Sequence, residues 1–293
     1  MKRGNKEIDF IAYLIIRLAI APPVWSYRIL VWPIISLSSS VWVVRRIGLI
    51  QRTLKNISLV FPEKSTRGKK ALLKRVIWNA GLSFYESSRL YRWDWLNRKV
   101  AIEGISHLDE ALAQGKGVVA LSVHLGSFPL ILSCLKQRGY PVRNIGRDPD
   151  NPFLAGYFEK VRKKAGVVHI TKNPVSLSIK ESLRWLAAGG ILSLPSDQYT
   201  SQGIPVPFFG QKVLTPTGPA VFARRLGCTV LPVSIVRRHR SHLIRIEPPL
   251  LIARTENQEE DIKNNTVLFN RVIEKWVLAD PDQWFGWFTR RFK

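Results

Sequence analysis

From residue 99 onward, short apolar runs alternate with helix-length amphipathic stretches. Runs at Val100 to Ile102, Val118 to Val123, Val142 to Ile145, Val167 to Ile170, Ile191 to Leu194, Val230 to Val236 and Leu243 to Ile246 have the length and β-branched content of strands. Between them lie Pro152 to Lys164, Ser176 to Ala188 and Thr217 to Leu226, each with helical spacing of its apolar positions. Ile262 to Leu278 reads as a closing amphipathic helix. Alternation of this kind predicts an α/β fold, an αβα sandwich around a mostly parallel or mixed sheet. In such a fold ligands bind beyond the C-terminal ends of the strands.

The chain before residue 62 follows a different pattern. Residues 8–44 are rich in Ile, Leu, Val and Trp, yet Arg17 and Arg28 interrupt them, and Pro22, Pro23 and Pro33 break helices there. The longest uncharged stretch, Ile29 to Val44, has 16 residues, short of the roughly 20 that cross a bilayer comfortably. Basic residues flank it on both sides, and Trp25, Trp32 and Trp42 suit an interface. The expectation is an N-terminal membrane-associated helical segment over 1–62, embedded, re-entrant or singly spanning, followed by one catalytic domain over 63–293. No small-residue cleavage site follows the apolar run, so a removed signal peptide is not expected.

Charge narrows the partners. The 293 residues carry 45 Lys and Arg against 21 Asp and Glu, a formal charge of +24. Such a surface attracts anionic bilayers and acidic partners. Nucleic acid is the rival, but the basic residues are dispersed in pairs such as Lys69-Lys70 and Arg224-Arg225, and no nucleic-acid motif is present. Cys134 and Cys228 sit in apolar surroundings and read as reduced core residues; neither a disulfide framework nor a metal-ligand spacing is visible.

The candidate chemistry starts at His124, which follows the apolar run Val118 to Leu121 and so stands where a buried strand ends. Histidine there is often structural, but it is also the side chain best poised to take a proton at neutral pH. Ser127 could cap a helix that begins at Pro129, since proline in the first turn gives up an N–H with no intrahelical partner.

The segment His124-Leu125-Gly126-Ser127-Phe128-Pro129 resembles the His-x4-Asp/Glu motif of the lysophospholipid acyltransferase superfamily. It is closest to the His-Leu-Gly-Asn-Trp-Glu form of the late acyltransferases of bacterial lipid A synthesis. Pro129 stands where that family has its acid. Gly146-Arg147-Asp148-Pro149-Asp150-Asn151-Pro152 resembles the family's Arg-Pro-x-x-Asn-Pro element, and Arg162 with Gly166 its Arg-x3-Gly. Leu194-Pro195-Ser196-Asp197-Gln198 is similar to its strand ending in Asp-Gln, and Val206-Pro207-Phe208-Phe209-Gly210 and Thr215-Pro216-Thr217-Gly218 follow in order. Asn79 to Glu86 resembles a helix ending in Glu, and Pro281-Asp282-Gln283-Trp284 with Arg290-Arg291-Phe292-Lys293 the tail, with Thr289 where a His is usual.

The resemblance implies transfer of a fatty acyl chain from acyl carrier protein or acyl-CoA to an anionic lipid acceptor such as a lipid A precursor. It places the protein at the bacterial inner membrane with its catalytic domain on the cytoplasmic side, and requires no metal or cofactor. His124 would be the general base, with Asp197 as a second catalytic group; Arg147, Asn151, Arg162 and Gln198 would bind substrate. Because Pro129 supplies no carboxylate, another acid must reach His124, or the imidazole acts alone, or transfer has been lost. Asp197, ending a strand on the same side of the sheet, is the first candidate; Glu86 and Glu103 are the next. Plainer roles exist as well: Arg147 could pair with Asp148 or Asp150, Arg162 could be solvated, and Asp197 could cap a turn before Thr200. Two other classes compete, a non-catalytic or N-acylating lipid-binding relative, and a basic scaffold that binds nucleic acid at a membrane.

Overall fold

The computed structural model describes residues 9–10, 13–14, 48–146 and 148–293. Most of the apolar segment over 8–44 lies outside the described residues, and so does Arg147. Among the described residues no helix is long and apolar enough to cross a membrane.

Nine helices among the described residues are labelled here in chain order: α1 (Leu49–Val60), α2 (Thr66–Ser87), α3 (Trp93–Lys99), α4 (Ile105–Ala113), α5 (Pro129–Gln137), α6 (Pro152–Lys164), α7 (Val175–Ala187), α8 (Gly218–Leu226) and α9 (Gln258–Ala279). The strands are β1 (Val100–Glu103), β2 (Val118–Ser122), β3 (Val142–Gly146), β4 (Val168–Thr171), β5 (Ile191–Pro195), β6 (Ile204–Phe208), β7 (Gln211–Thr215), β8 (Thr229–Arg238) and β9 (Ser241–Ile246). Seven of them form one sheet in the order β1-β9-β8-β2-β5-β3-β4. Every neighbouring pair in it is parallel except β8 with β9, so the sheet is mixed and mostly parallel, as expected.

β2 shows why this sequence makes a sandwich. All five of its residues are buried, Val118 and Ala120 in the cluster with Leu130, Cys134 and Leu135 of α5, Val119 and Leu121 in the cluster with Leu186 of α7 and Phe222 of α8. A strand covered on both faces needs apolar residues at every position, and each Val or Leu so buried contributes about 1.5–3 kcal/mol. Cys134 and Cys228 are both free and buried within these layers. A third cluster joins α1 and α2 to the tail: Ile57, Phe61, Leu72 and Val76 pack with Trp284 and Trp287. α1 is fastened there by Asn56, whose Nδ2 donates to the carbonyls of Trp287 (2.9 Å) and Thr289 (3.0 Å).

The hairpin β6–β7 has no counterpart in the sequence reading. Pro205 and Pro207 argue against a central strand, and the structure uses them in a two-stranded sheet of its own. Its two-residue turn is Phe209-Gly210, both with positive φ (48° and 71°), the backbone that suits a tight hairpin and that glycine adopts freely. Pro129 begins α5, as read from the sequence, but Ser127 does not cap it: no side chain caps α5.

Candidate active site

The register of β2 on β5 fixes the site. The two strands pair in parallel with Ser122 opposite Pro195, so His124 and Asp197 each stand two residues past the last paired position, on neighbouring strands. The Ser196 amide donates to the Ser122 carbonyl (3.1 Å) and keeps the chains together beyond the sheet. His124 Nδ1 lies 2.7 Å from Asp197 Oδ1. Asp197 is fully buried, whereas the His124 side chain keeps 20% of its surface open.

Burial raises the affinity of the Asp197 carboxyl for its proton, but the charge and hydrogen bond of His124, followed by the bond from Trp284, outweigh it, and the group titrates below the usual aspartate range. An ionised carboxylate only accepts, so Nδ1 carries a hydrogen, and in the neutral imidazole the lone pair is then on Nε2. That nitrogen faces the amide nitrogen of Gln198 at 3.4 Å, and the Phe128 ring meets the imidazole edge-on at 4.7 Å. The carboxylate in contact with the imidazole thus comes from just past the end of β5, not from the helix that follows His124.

The backbone at His124 is pinned from several sides. Gly126 adopts a positive φ of 53°, and a Cβ there would lie 2.7 Å from the Ile235 carbonyl, so both conformation and space demand glycine. Its N–H donates to the Gln283 carbonyl and its own carbonyl accepts from Ser83 Oγ, each at 3.0 Å. The His124 carbonyl accepts from the Phe285 amide at 2.9 Å.

Beneath this loop is a buried polar network that the sequence did not announce. Arg237 donates to Glu86 (Nη2 to Oε2, 2.6 Å), to Ser127 Oγ (2.9 Å), to Ser83 Oγ (3.0 Å) and to Asn79 Oδ1 (2.7 Å). Ser127 donates its hydroxyl to Glu86, which explains why it does not cap α5. Glu86 also lies 3.2 Å from His242 Nε2. It is therefore committed to Arg237, Ser127 and His242. Glu103 is equally unsuited to serve His124, since it pairs with Arg245 (3.3 Å) on β1, separated from β2 by β9 and β8.

Burial pushes the Glu86 carboxyl up, but the hydrogen bond from His242 and the charge of Arg237 prevail and bring it down to about 2. A depressed carboxylate stabilises the fold fully above its unfolded value, near 4.5, and that contribution disappears as pH falls toward about 2. The linked stability is on the order of 3 kcal/mol. Urea unfolding at about pH 6 and about pH 3 should show a smaller acid loss for Glu86→Gln than for wild type; equal losses would remove Glu86 as the linked group.

The remaining sequence candidates sit elsewhere. Asn151 caps α6, its side-chain oxygen accepting from the amides of Phe153 (3.0 Å) and Leu154 (3.1 Å) while Nδ2 donates to the Asp9 carbonyl (2.8 Å). Arg162 lies at the other end of α6, roughly 16 Å along the axis. It is paired with Asp148 at 2.5 Å, so it is not simply solvated with its basic neighbours. Asp197 caps no turn; it is enclosed between His124 and the Trp284 indole, whose Nε1 donates to Oδ2 at 2.8 Å. Trp284 belongs to the tail motif noticed in the sequence, but nothing in a tryptophan's position alone assigns it to a carboxylate about 90 residues away.

Comparison with known families matches residues 30–293 to the family described as bacterial lipid A biosynthesis acyltransferase. Two similar curated proteins are the Lipid A biosynthesis palmitoleoyltransferase of Escherichia coli (strain K12) and the Lipid A biosynthesis acyltransferase of Shigella flexneri. Each is 25% identical over 254 residues, covering 82% of this chain and 77% of the relative. With the match running from residue 30 to the last residue, this chain belongs to the bacterial lipid A biosynthesis acyltransferase family and is an acyltransferase.

Proposed function

We propose that this protein moves a fatty acyl chain from an acyl carrier protein or CoA thioester onto a hydroxyl of an anionic lipid, a lipid A precursor being the acceptor the family favours. The observation that carries the reading is the 2.7 Å contact between His124 Nδ1 and a fully buried, ionised Asp197. In this reading His124 Nε2 takes the proton of the acceptor hydroxyl as its oxygen attacks the thioester carbonyl carbon. Asp197 holds the imidazole in the required tautomer and stabilises the imidazolium as it forms. Collapse of the tetrahedral intermediate breaks the C–S bond, and the imidazolium returns its proton to the departing thiolate, leaving an ester and a free thiol.

Gln198 faces the reactive lone pair at 3.4 Å without substrate; the acceptor hydroxyl would take its place, freeing the amide to donate to the carbonyl oxygen. Arg147, Asn151 and Arg162 are proposed for the acceptor side, the two arginines to meet phosphate. Residues 1–62 are proposed as the membrane-anchoring segment, with its last helix α1 docked on the tail, and 63–293 as the catalytic domain, at the cytoplasmic side of the inner membrane. The charge of +24 supports an anionic surface as partner.

The test is product analysis. Full-length protein in detergent is given dodecanoyl and hexadecanoyl thioesters of carrier protein and of CoA, with a lipid A precursor, and the lipids are weighed by mass spectrometry. One added acyl mass, removable by mild alkali, is expected for an ester. An alkali-stable adduct would establish the N-acylating alternative, and intact thioester with unchanged lipid would overturn the reading.

A further inference from the structure

The second oxygen of the Asp197 carboxylate has its own dedicated donor. Oδ1 faces His124 Nδ1 at 2.7 Å and Oδ2 accepts from Trp284 Nε1 at 2.8 Å. We propose that Trp284 is a positioning residue for acyl transfer, holding the plane of the Asp197 carboxylate so that Oδ1 stays aimed at His124. The inference rests on the reading of His124 and Asp197 as the reacting pair.

An aspartate's last torsion is broad and two-fold, and both His124 donors, Nδ1 and the backbone amide (3.3 Å), fall on Oδ1, so without a donor on Oδ2 the carboxylate can swing about that one oxygen. Two donors on opposite oxygens remove that freedom. The indole is fully buried, where its N–H requires an acceptor, and Asp197 is that acceptor. The same short segment also sets the peptide of the histidine: Trp284 forms an antiparallel bridge with Leu125, and the next residue, Phe285, donates its amide to the His124 carbonyl.

The tail is built to hold the ring in place. A Cβ on Gly286 would fall 2.0 Å from the Trp284 ring, so glycine leaves the space the indole fills. Trp287 packs edge-on against it at 4.7 Å. Farther along, the buried Arg291 ties the tail to the hairpin and to α9 by donating to the Leu214 carbonyl (3.0 Å), Thr215 Oγ1 (3.0 Å) and Asn270 Oδ1 (3.1 Å). A role in packing alone would be met by any ring of this shape. Holding the carboxylate needs the N–H.

The experiment compares Trp284→Phe, and Trp284 replaced by its isostere β-(3-benzothienyl)alanine, each in the wild-type and Asp197→Asn backgrounds. The full-length protein is assayed with the dodecanoyl and hexadecanoyl thioesters and lipid A precursor. Losing the N–H is expected to lower kcat about tenfold to a hundredfold, the scale of one lost buried hydrogen bond, with KM within about threefold. In the Asp197→Asn background the further loss should be no more than about threefold, because the two residues act as a unit. The isostere keeps the shape of the ring, so it decides the matter if Trp284→Phe does not fold. Wild-type kcat in the isostere, or a full additional loss in the Asp197→Asn background, overturns the inference. If Asp197→Asn loses activity while the isostere does not, this inference fails alone; if Asp197→Asn keeps wild-type turnover, the His124–Asp197 reading fails and takes it along.

Discussion

Asp197→Asn is expected to lower turnover by about 10⁴-fold while leaving the fold in place, the scale seen when the carboxylate of a catalytic triad is neutralised. The substitution is nearly isosteric, and its cost comes from two sources. An amide presents a donor as well as an acceptor, so it can hold the wrong tautomer of His124, with the hydrogen on Nε2. It also withdraws the negative charge that stabilises the imidazolium inside a site closed to water on the Asp197 side. Steady-state rates with unchanged circular dichroism would establish this. A variant within about threefold of wild type would mean that the 2.7 Å contact does no work in the reaction.

His124→Ala is expected to cost about 10²- to 10⁴-fold, the usual contribution of a general base. The side chain is partly open and makes no core of its own, so the stability cost of its loss comes from leaving Asp197 buried without its main partner, and circular dichroism checks that the variant is folded. Retained turnover in a folded His124→Ala variant would reduce the histidine to a structural ligand of Asp197. The two variants together should be no worse than the more damaging one, as expected for residues of one unit.

How much of this could be read from the sequence depended on how local each determinant was. β2 was legible because a strand covered on both sides must be apolar throughout, and Val118 to Leu121 are. β6 was not, because Pro205 and Pro207 suit a strand outside the main sheet, a context visible only in three dimensions. Asp197 was nominated from its place at a strand end, since parallel strands bring their C-terminal residues to one rim. The bond to His124, though, depended on β2 and β5 being neighbours, which chain order does not state.

Ser127 was misjudged because the capping rule considers only its own helix. Glu86 and Arg237 claim its hydroxyl across more than 40 and 100 residues of chain. Trp284 and Gln283 were noticed only as a pattern in the tail. Their place against the His124 loop rests on contacts between that loop and a tail far along the chain, and no periodicity encodes that. Asn151 was legible as part of a motif, but its geometry is that of a helix cap before proline, a role its residue type supports equally well.

The central claim is that the acid absent from the motif has been supplied from β5, and turnover of Pro129→Glu tests it most directly. Position 129 is the first residue of α5, where glutamate is tolerated beside the helix N-terminus, so the variant should fold. With Nδ1 of His124 already held by Asp197, a new carboxylate there has no role to fill. The account predicts a rate equal to or below wild type. A gain of about tenfold or more would show that His124 lacks an effective acid in this protein, and would contradict the account.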